Sequence, residues 1–381
     1  MKQTSIIFLL TTLLSMAGAN AFAYDEQIDG IYYEFSGNNA IVTYYSKNAS
    51  ANRAAYYGTI TIPESITYNE MTYSVTGIGE DAFAGCKDLE SVTIPNSVMS
   101  IGSWAFTGCT SLTSLSIPNS VTSIGSCAFS ECNGLTSIAI GNSVTNIGSG
   151  AFMECTGLTS VTIPNSVKTI DSDAFRGCWG LRSVTIGNSV TNIGSGAFYG
   201  CHLASVTINS NAIMSKNSDN KPLFNTFGEQ VTDFLIGEDV KAIGYGVFGG
   251  YHNLASVTIS KNVTKISKYA FSTYIRIANL ICRATIPPIC EDNALYAIYK
   301  NYCTLIVPPG SLAAYKSANE WKDFNIIEES DVTAINGING NGAESQNTHI
   351  YDTNGRKLES LQRGMNIIKL SDGTIKKVLV N

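Results

Sequence analysis

Charge is scarce in this chain, and that scarcity closes off several classes of function. Only 14% of the 381 residues are Asp, Glu, Lys or Arg, and the net charge is −6. Binding nucleic acid through a broad face takes a surplus of cations to neutralise phosphates, and there is none. Histidine is scarcer still: His202, His252 and His349 stand far apart, without the spacing of metal ligands. No serine is placed by sequence beside a histidine and an acid. Beyond the N-terminus no apolar run is long enough to span a bilayer. The sequence therefore predicts no catalytic residue, no cofactor, no metal, no nucleic acid and no transmembrane span, and it points to neutral surfaces as partners.

The N-terminus is the one exception to the lack of apolar runs. Lys2, the run 6–14 and Ala21-Phe22-Ala23 form a basic, apolar and small-x-small series, read as a secretory signal over 1–23. An uncleaved anchor is the other reading. Export makes the ten cysteines notable, because an oxidising compartment ordinarily turns such a set into a disulfide framework.

What the chain has in abundance is order. Cys86, Cys109, Cys132, Cys155, Cys178 and Cys201 stand 23 residues apart, and Ala-Phe pairs keep the same step from Phe83 to Phe198. A recurrence of this length marks a solenoid or an array. In the copy Leu112-Thr-Ser-Leu115-Ser-Ile117-Pro118, apolar residues alternate with Ser114 and Ser116 as on a strand with one face inward, and Pro118 ends it. The stretch 121–129 is too short for a mature helix. Ile124-Gly125 predicts a bend, then a single helical or 3₁₀ turn that carries Ala128 and Phe129 inward. A copy offers about seven apolar side chains worth roughly 1.5–3 kcal/mol each, against roughly 1–2 kcal/mol per residue for fixing its backbone. A lone copy does not fold; stacked copies share their interiors.

Stacking also gives the cysteines a second account. Equivalent positions in adjoining coils lie about 4.8 Å apart with parallel side-chain directions, whereas a disulfide needs converging ones. The six can then form a column of buried thiols filling space, with Tyr251 taking the place in a later coil. Cys127 is additional, and a bridge among Cys282, Cys290 and Cys303 stays open.

The pattern Leu-x-x-Leu-x-Ile-Pro-x-x-Val-x-x-Ile-Gly-x-x-Ala-Phe-x-x-Cys resembles the 23-residue leucine-rich repeat of the BspA-like family, over about residues 59–328. The resemblance implies an α/β repeat solenoid: a right-handed leucine-rich-repeat superhelix with a parallel concave sheet and short turns or 3₁₀ segments on its convex side. It also implies a secreted or cell-surface, non-enzymatic protein that adheres to host extracellular matrix, glycoprotein or other bacterial cells. A structural spacer of the cell envelope is the alternative.

Around the repeats the composition changes. Residues 24–58, rich in tyrosine, predict a β-rich cap over the first coil, with an aromatic binding platform as the other reading. The solenoid is expected over 59–328, about eleven coils, with a side hairpin over 67–73 and an inserted polar loop over 215–222. Helical spacing over 311–324 predicts a closing helix. Residues 329–347, with Gly337, Gly340 and Gly342, read as a linker. Residues 348–381 read as a small β module of three strands, with turns at Asn354-Gly355 and Asp372-Gly373. The module's Tyr351-Asp-Thr-Asn-Gly-Arg-Lys357 and Gly364-Met-Asn366 resemble the C-terminal sorting signal of type IX secretion. That implies hand-over to a secretion machinery and display on the outer membrane of a Gram-negative bacterium; a module that merely ends the chain is the other reading.

Two patterns mimic chemistry. Gly244-Tyr-Gly246-Val-Phe-Gly249 satisfies a dinucleotide fingerprint but sits in the repeat register, with no βαβ unit around it. Glu131 and Glu154 occupy equivalent places in adjoining coils, close to the spacing of a glycosidase pair, where the other coils carry Gly85, Gly108, Gly177 and Gly200. A glycan-active enzyme is thus the remote alternative. The binding candidates are the outward strand residues Ser91, Thr93, Ser114, Ser116, Ser137, Ser160, Thr162, Ser183, Thr185, Ser205 and Thr207, a flat uncharged face that is either a contact surface or a hydrated sheet. Trp104 and Trp179, at positions that vary among copies, join them as candidate anchors.

Overall fold

A computed structural model describes residues 24–45, 55–216, 223–273 and 275–328, together with the strands Val332–Ala334, His349–Asp352, Lys357–Leu358, Gly364–Lys369 and Ile375–Val380. The expected signal over 1–23 lies outside the described residues. From 58 to 328 the chain winds through about eleven coils, each opening on a short strand. These strands pair in parallel in three segments. Gly58–Thr61 lies beside Leu89–Thr93, and Ser114–Ser116 beside Ser137–Ala139; eight more run from Ser160–Thr162 to Asn325–Glu328. Ser137 stands opposite Ser114, and Val184 opposite Val161. Because the register equals the repeat, each position of the pattern becomes a column of like residues.

The return half of the coil differs from the expectation. A second parallel sheet of two-residue strands runs through it, with Ser123–Ile124 between Ser100–Ile101 and Asn146–Ile147. No helix occurs among the described residues of 79–208. Gly125 explains the pairing: a Cβ there would lie 2.5 Å from the carbonyl carbon of Gly102 and 2.5 Å from the nitrogen of Ser103. The glycine is needed for backbone contact between coils, because its own φ is not left-handed. Beyond it alternate N–H groups reach the next coil, as from Cys127 to Ser149, Phe129 to Ala151 and Glu131 to Met153, at 2.7–2.8 Å.

The interior is built in columns. Phe83, Phe106, Phe129, Phe152, Phe175 and Phe198 stack with ring centroids 4.8–5.2 Å apart and planes within 2–10° of each other. All six are buried, beside columns of Leu, Val, Ile and Cys. Stacked rings add to the area they bury. At the N-terminal end, Glu26–Ile28, Ile31–Ser36 and Asn39–Val42 form an antiparallel meander whose last strand extends the short-strand sheet, in parallel with Met71–Ile78. Buried Tyr56 lies on Phe83 at 4.5 Å; its hydroxyl accepts the Tyr32 N–H and donates to the Thr43 carbonyl. Ser65–Tyr68 and Met71–Ile78 make the side hairpin, turning through Asn69 and Glu70 at φ 49° and 66°.

Farther along, order gives way. Asn211–Met214 and Phe224–Phe227 are one-turn helices that interrupt the short-strand sheet, which resumes at Ala242–Ile243; most of the expected loop over 215–222 lies outside the described residues. The expected closing helix is only Leu312–Ser317. After it the chain turns at Glu320, φ 67°, so that Trp321 Nε1 donates to the Pro288 carbonyl, while Tyr315 Oη donates to that of Ala284. Buried polar anchors decide the end of this helix, where helical spacing alone suggested more. The expected linker also differs, since Val332–Ala334 pairs in parallel with Ile375–Val380. Among the described residues the terminal sheet has five strands, in the order 332–334, 375–380, 364–369, 349–352, 357–358, four of them within 348–381, where three were expected.

Candidate functional site

The outward strand residues fall into two columns. Ser91, Ser114, Ser137, Ser160, Ser183 and Ser205 form one; Thr93, Ser116, Thr162, Thr185 and Thr207 form the other. Thr93, Ser114, Ser116, Ser137, Ser160 and Thr162 are exposed, and Ser91, Ser183, Thr185, Ser205 and Thr207 are half-buried. Ala139 interrupts the second column, opposite Ser116. The face also runs farther than sequence reading took it, through Asp233 and Leu235 to Ser256 and Thr258. The register of these strands would have revealed that, had the inserted residues before them been counted out.

Hydroxyls elsewhere on the coil are consumed by packing. Thr122, Thr145 and Thr191 each donate Oγ1 to a carbonyl of the preceding coil, at 3.1–3.3 Å. On the face itself the Ser91 hydroxyl donates to that of Thr59 at 3.0 Å. Where the Leu89–Thr93 and Ser114–Ser116 strands do not ladder with one another, a groove of about 450 Å³ opens, lined by Thr93, Ser116, Asn96, Pro118 and Asn119 among others. Two of the candidate residues, Thr93 and Ser116, are thereby brought together.

The tryptophans are not brought to this groove. Trp104, 43% exposed, sits at φ 53° on the return turn, and Trp179, 62% exposed, precedes the Ser183–Ile186 strand three coils on. The Trp179 carbonyl accepts from Arg182 Nη1 at 2.6 Å and lies 3.0 Å from His202 Nδ1.

Glu131 and Glu154 share φ 59° with their glycine counterparts' left-handed turn, Gly85 and Gly108 at 72° among them. Both side chains are exposed, and neither lines the groove. An exposed turn does not supply the desolvated setting in which one carboxyl stays protonated as an acid. Gly244 serves packing: its N–H donates to the Met214 carbonyl at 2.7 Å, and a Cβ would stand 2.0 Å from the Lys216 oxygen.

None of the ten cysteines forms a disulfide. Along the column the S–H groups of Cys109, Cys132, Cys155, Cys178 and Cys201 donate to the carbonyls of Phe83, Phe106, Phe129, Phe152 and Phe175, at 3.0–3.1 Å. The Phe83 carbonyl also accepts the Cys86 N–H at 3.1 Å, so one oxygen ties two coils. Burial pushes the Cys86 thiol up to about 11 and raises that of Cys155 well above the usual range. Such thiols hold their protons at neutral pH and are poor nucleophiles. Among the described residues no helix is long and apolar enough to cross a membrane, and no group of histidine, cysteine and acidic residues is arranged to hold a metal.

A family model described as a BspA type leucine-rich repeat region matches residues 52–182, 146–272 and 220–305. No curated protein matches the sequence. Three solved structures are similar. One is a leucine-rich cell surface protein from Faecalibacterium prausnitzii A2-165, with 24% identity over 80% of this chain and 94% of that one, TM-score 0.41. Another is a leucine-rich repeat protein of T. pallidum, with 25% identity over 60% and 91%, TM-score 0.39. A third is a leucine-rich repeat protein from Bacteroides ovatus ATCC 8483, with 21% identity over 80% and 100%, TM-score 0.25.

Proposed function

This chain belongs to the BspA-type leucine-rich repeat family, and on that premise we propose that it is a secreted or cell-surface binding protein without enzymatic activity, adhering to host matrix protein, glycoprotein or neighbouring cells. Members of this family are typically non-enzymatic. The observation that supports the reading is the hydroxyl-bearing strand face, whose columns are held in register within each paired segment of strands. Short hydroxyl side chains lose little entropy when they bind, and each offers a donor and an acceptor to an extended chain laid across them. Trp104 and Trp179 then serve as outlying anchors.

The test is binding of the secreted chain to immobilised matrix proteins and mucin by biolayer interferometry. Association is expected, and a Ser137→Glu, Ser160→Glu double variant should weaken it about tenfold or more by placing two desolvated charges in the contact. No association across the panel, or binding indifferent to the double variant, overturns the proposal. A spacer function is the second reading, favoured by the backbone hydrogen bonds that tie every coil to the next. It is distinguished by deletion: unchanged adherence with a weakened envelope supports the spacer.

The finer parts of the proposal concern the ends. Residues 24–58 cap the first coil, which fits the placing of Tyr56 on Phe83, and 348–381 hand the chain to the outer-membrane export machinery. Removing 348–381 is expected to abolish surface display without changing the thermal unfolding of the repeats.

A further inference from the structure

The last coils carry a set of tyrosines that the repeat pattern does not call for. Tyr245 meets Tyr269 edge-on with centroids 5.9 Å apart, and Tyr269 meets Tyr296 at 6.2 Å. Tyr299 and Tyr302 follow around the 3₁₀ turn Lys300–Tyr302, edge-on at 6.5 Å. The Arg276 guanidinium, from the preceding coil, lies over both of their rings, 5.9 and 5.1 Å from the centroids. Ile275 and Ile298 form a parallel bridge, and the Tyr299 N–H donates to the Ile275 carbonyl, so the platform is anchored by backbone. Tyr296, Tyr299 and Tyr302 are nevertheless exposed, the last to 66%. With Lys300, Asn301, Glu320 and Asp323 they line a groove of about 500 Å³.

The charges in this groove offset each other. Glu320 is committed to structure, its two oxygens accepting the N–H groups of Asn293 and Leu295 at 3.0 and 3.4 Å. Lys300 stands 3.7 Å from Glu320 and 3.8 Å from the exposed carboxylate of Asp323. An anionic ligand would meet two carboxylates, and a cationic one would meet Arg276 and Lys300. A fitting ligand is neutral, with an apolar face to lie on phenol rings and a rim of groups that both donate and accept. A hexopyranose has this form, with C–H groups across one face and hydroxyls around the edge. The groove is concave and of the size that holds small ligands, roughly 300–1,000 Å³; a protein partner wants about 800 Å² of matching surface.

We propose that this groove binds a neutral, hexose-containing oligosaccharide, with Tyr299 and Tyr302 as the stacking platform and Asn301 and Asp323 as hydrogen-bonding partners of the hydroxyls. The site lies eight coils from the groove at Thr93 and does not rest on the hydroxyl-face reading.

The full chain is titrated with lactose, mannobiose, cellobiose and di-N-acetylchitobiose, and with sialyllactose and digalacturonate as acidic arms, by calorimetry and saturation-transfer NMR. At least one neutral disaccharide is expected to bind. Tyr299→Ala and Tyr302→Ala should each weaken it about tenfold or more, Asp323→Asn several-fold, and a change at exposed Met99, which lines neither groove, not at all. Tyr302→Phe keeps the ring and should keep most of the affinity; it decides the matter if an alanine variant unfolds, as checked by circular dichroism. The proposal is overturned if no neutral probe binds at about 10 mM, if only acidic sugars bind, or if binding survives loss of both rings.

Discussion

In residues 79–208 one phenylalanine per coil stacks nearly face-parallel on the next, whereas between Phe227 and Phe248 the rings turn edge-on, and stacking resumes only where Phe248 meets Phe271 at 4.7 Å and 15°. Phe227 meets Phe234 at 74°, and Phe234 meets Phe248 at 82°. The thiol column ends at the same place. Tyr251 stands where cysteine would, buried, with its hydroxyl lacking a partner. Ser97 shows the same effect at the other border. Ser120 and Ser166 donate to the Val98 and Val144 carbonyls of the coil before, but the hydroxyl of half-buried Ser97, whose preceding coil carries the side hairpin, is itself buried without a hydrogen-bond partner. The two regions teach that a column satisfies its polar members only while the neighbour keeps the same register. An insertion on one coil is felt as an orphaned hydrogen bond on the next.

The comparison can be broken most severely in the regular region. Phe129→Ala removes a ring stacked on both sides and should cost about 3–5 kcal/mol in urea unfolding, while the same change at half-buried Phe224 should cost less than half as much. Gly125→Ala comes next: its methyl has no room against Gly102 and Ser103, and a loss of about 2–3 kcal/mol is expected. Cys155→Ala, which deletes one S–H donor and a small volume, should cost about 1–2 kcal/mol. Cys155→Ser, which retains a donor towards Phe129, should cost less. At the irregular border the sign changes, and Tyr251→Phe should leave stability unchanged or raise it by up to about 1 kcal/mol, because an unpaired buried hydroxyl is removed.

The thiols sharpen the contrast through pH. Burial pushes Cys86 up to about 11 and Cys290 and Cys303 up to about 12, against about 8.5 when unfolded. The unfolded chain therefore gives up protons first. Stability should be fully present below about pH 8.5 and should fall as pH rises towards 11 and 12. Native alkylation at pH 8 should modify the half-buried Cys127 ahead of the column; equal rates at all ten would contradict the packing.

Much of the interior was legible in the sequence, because burial repeats at a fixed step: Leu112, Ile117, Val121, Ile124 and Phe129 are all buried. The second sheet was not, since two residues such as Ser123–Ile124 carry no alternation from which a strand can be read, and the clue lay in Gly125 as a point of contact between coils. The closing helix was overestimated because Leu312, Tyr315, Ala318 and Trp321 keep helical spacing, while the hydrogen bonds of Tyr315 and Trp321 to distant carbonyls, which end it, leave no trace in local sequence. The hydroxyl face followed from strand alternation. The tyrosine groove was missed because its members come from three separated stretches, at 276, 296–302 and 320–323, that only the winding assembles.

The matched columns have one more consequence. Since each coil offers its neighbour the interior that it receives, nothing in the packing of residues 79–208 fixes how many coils there must be. A duplicated or deleted 23-residue unit in that stretch would move the two ends apart or together by one strand spacing, about 4.8 Å, and leave the hydrophobic seams continuous. Reach is thereby a variable of this fold, adjustable in whole steps of one repeat.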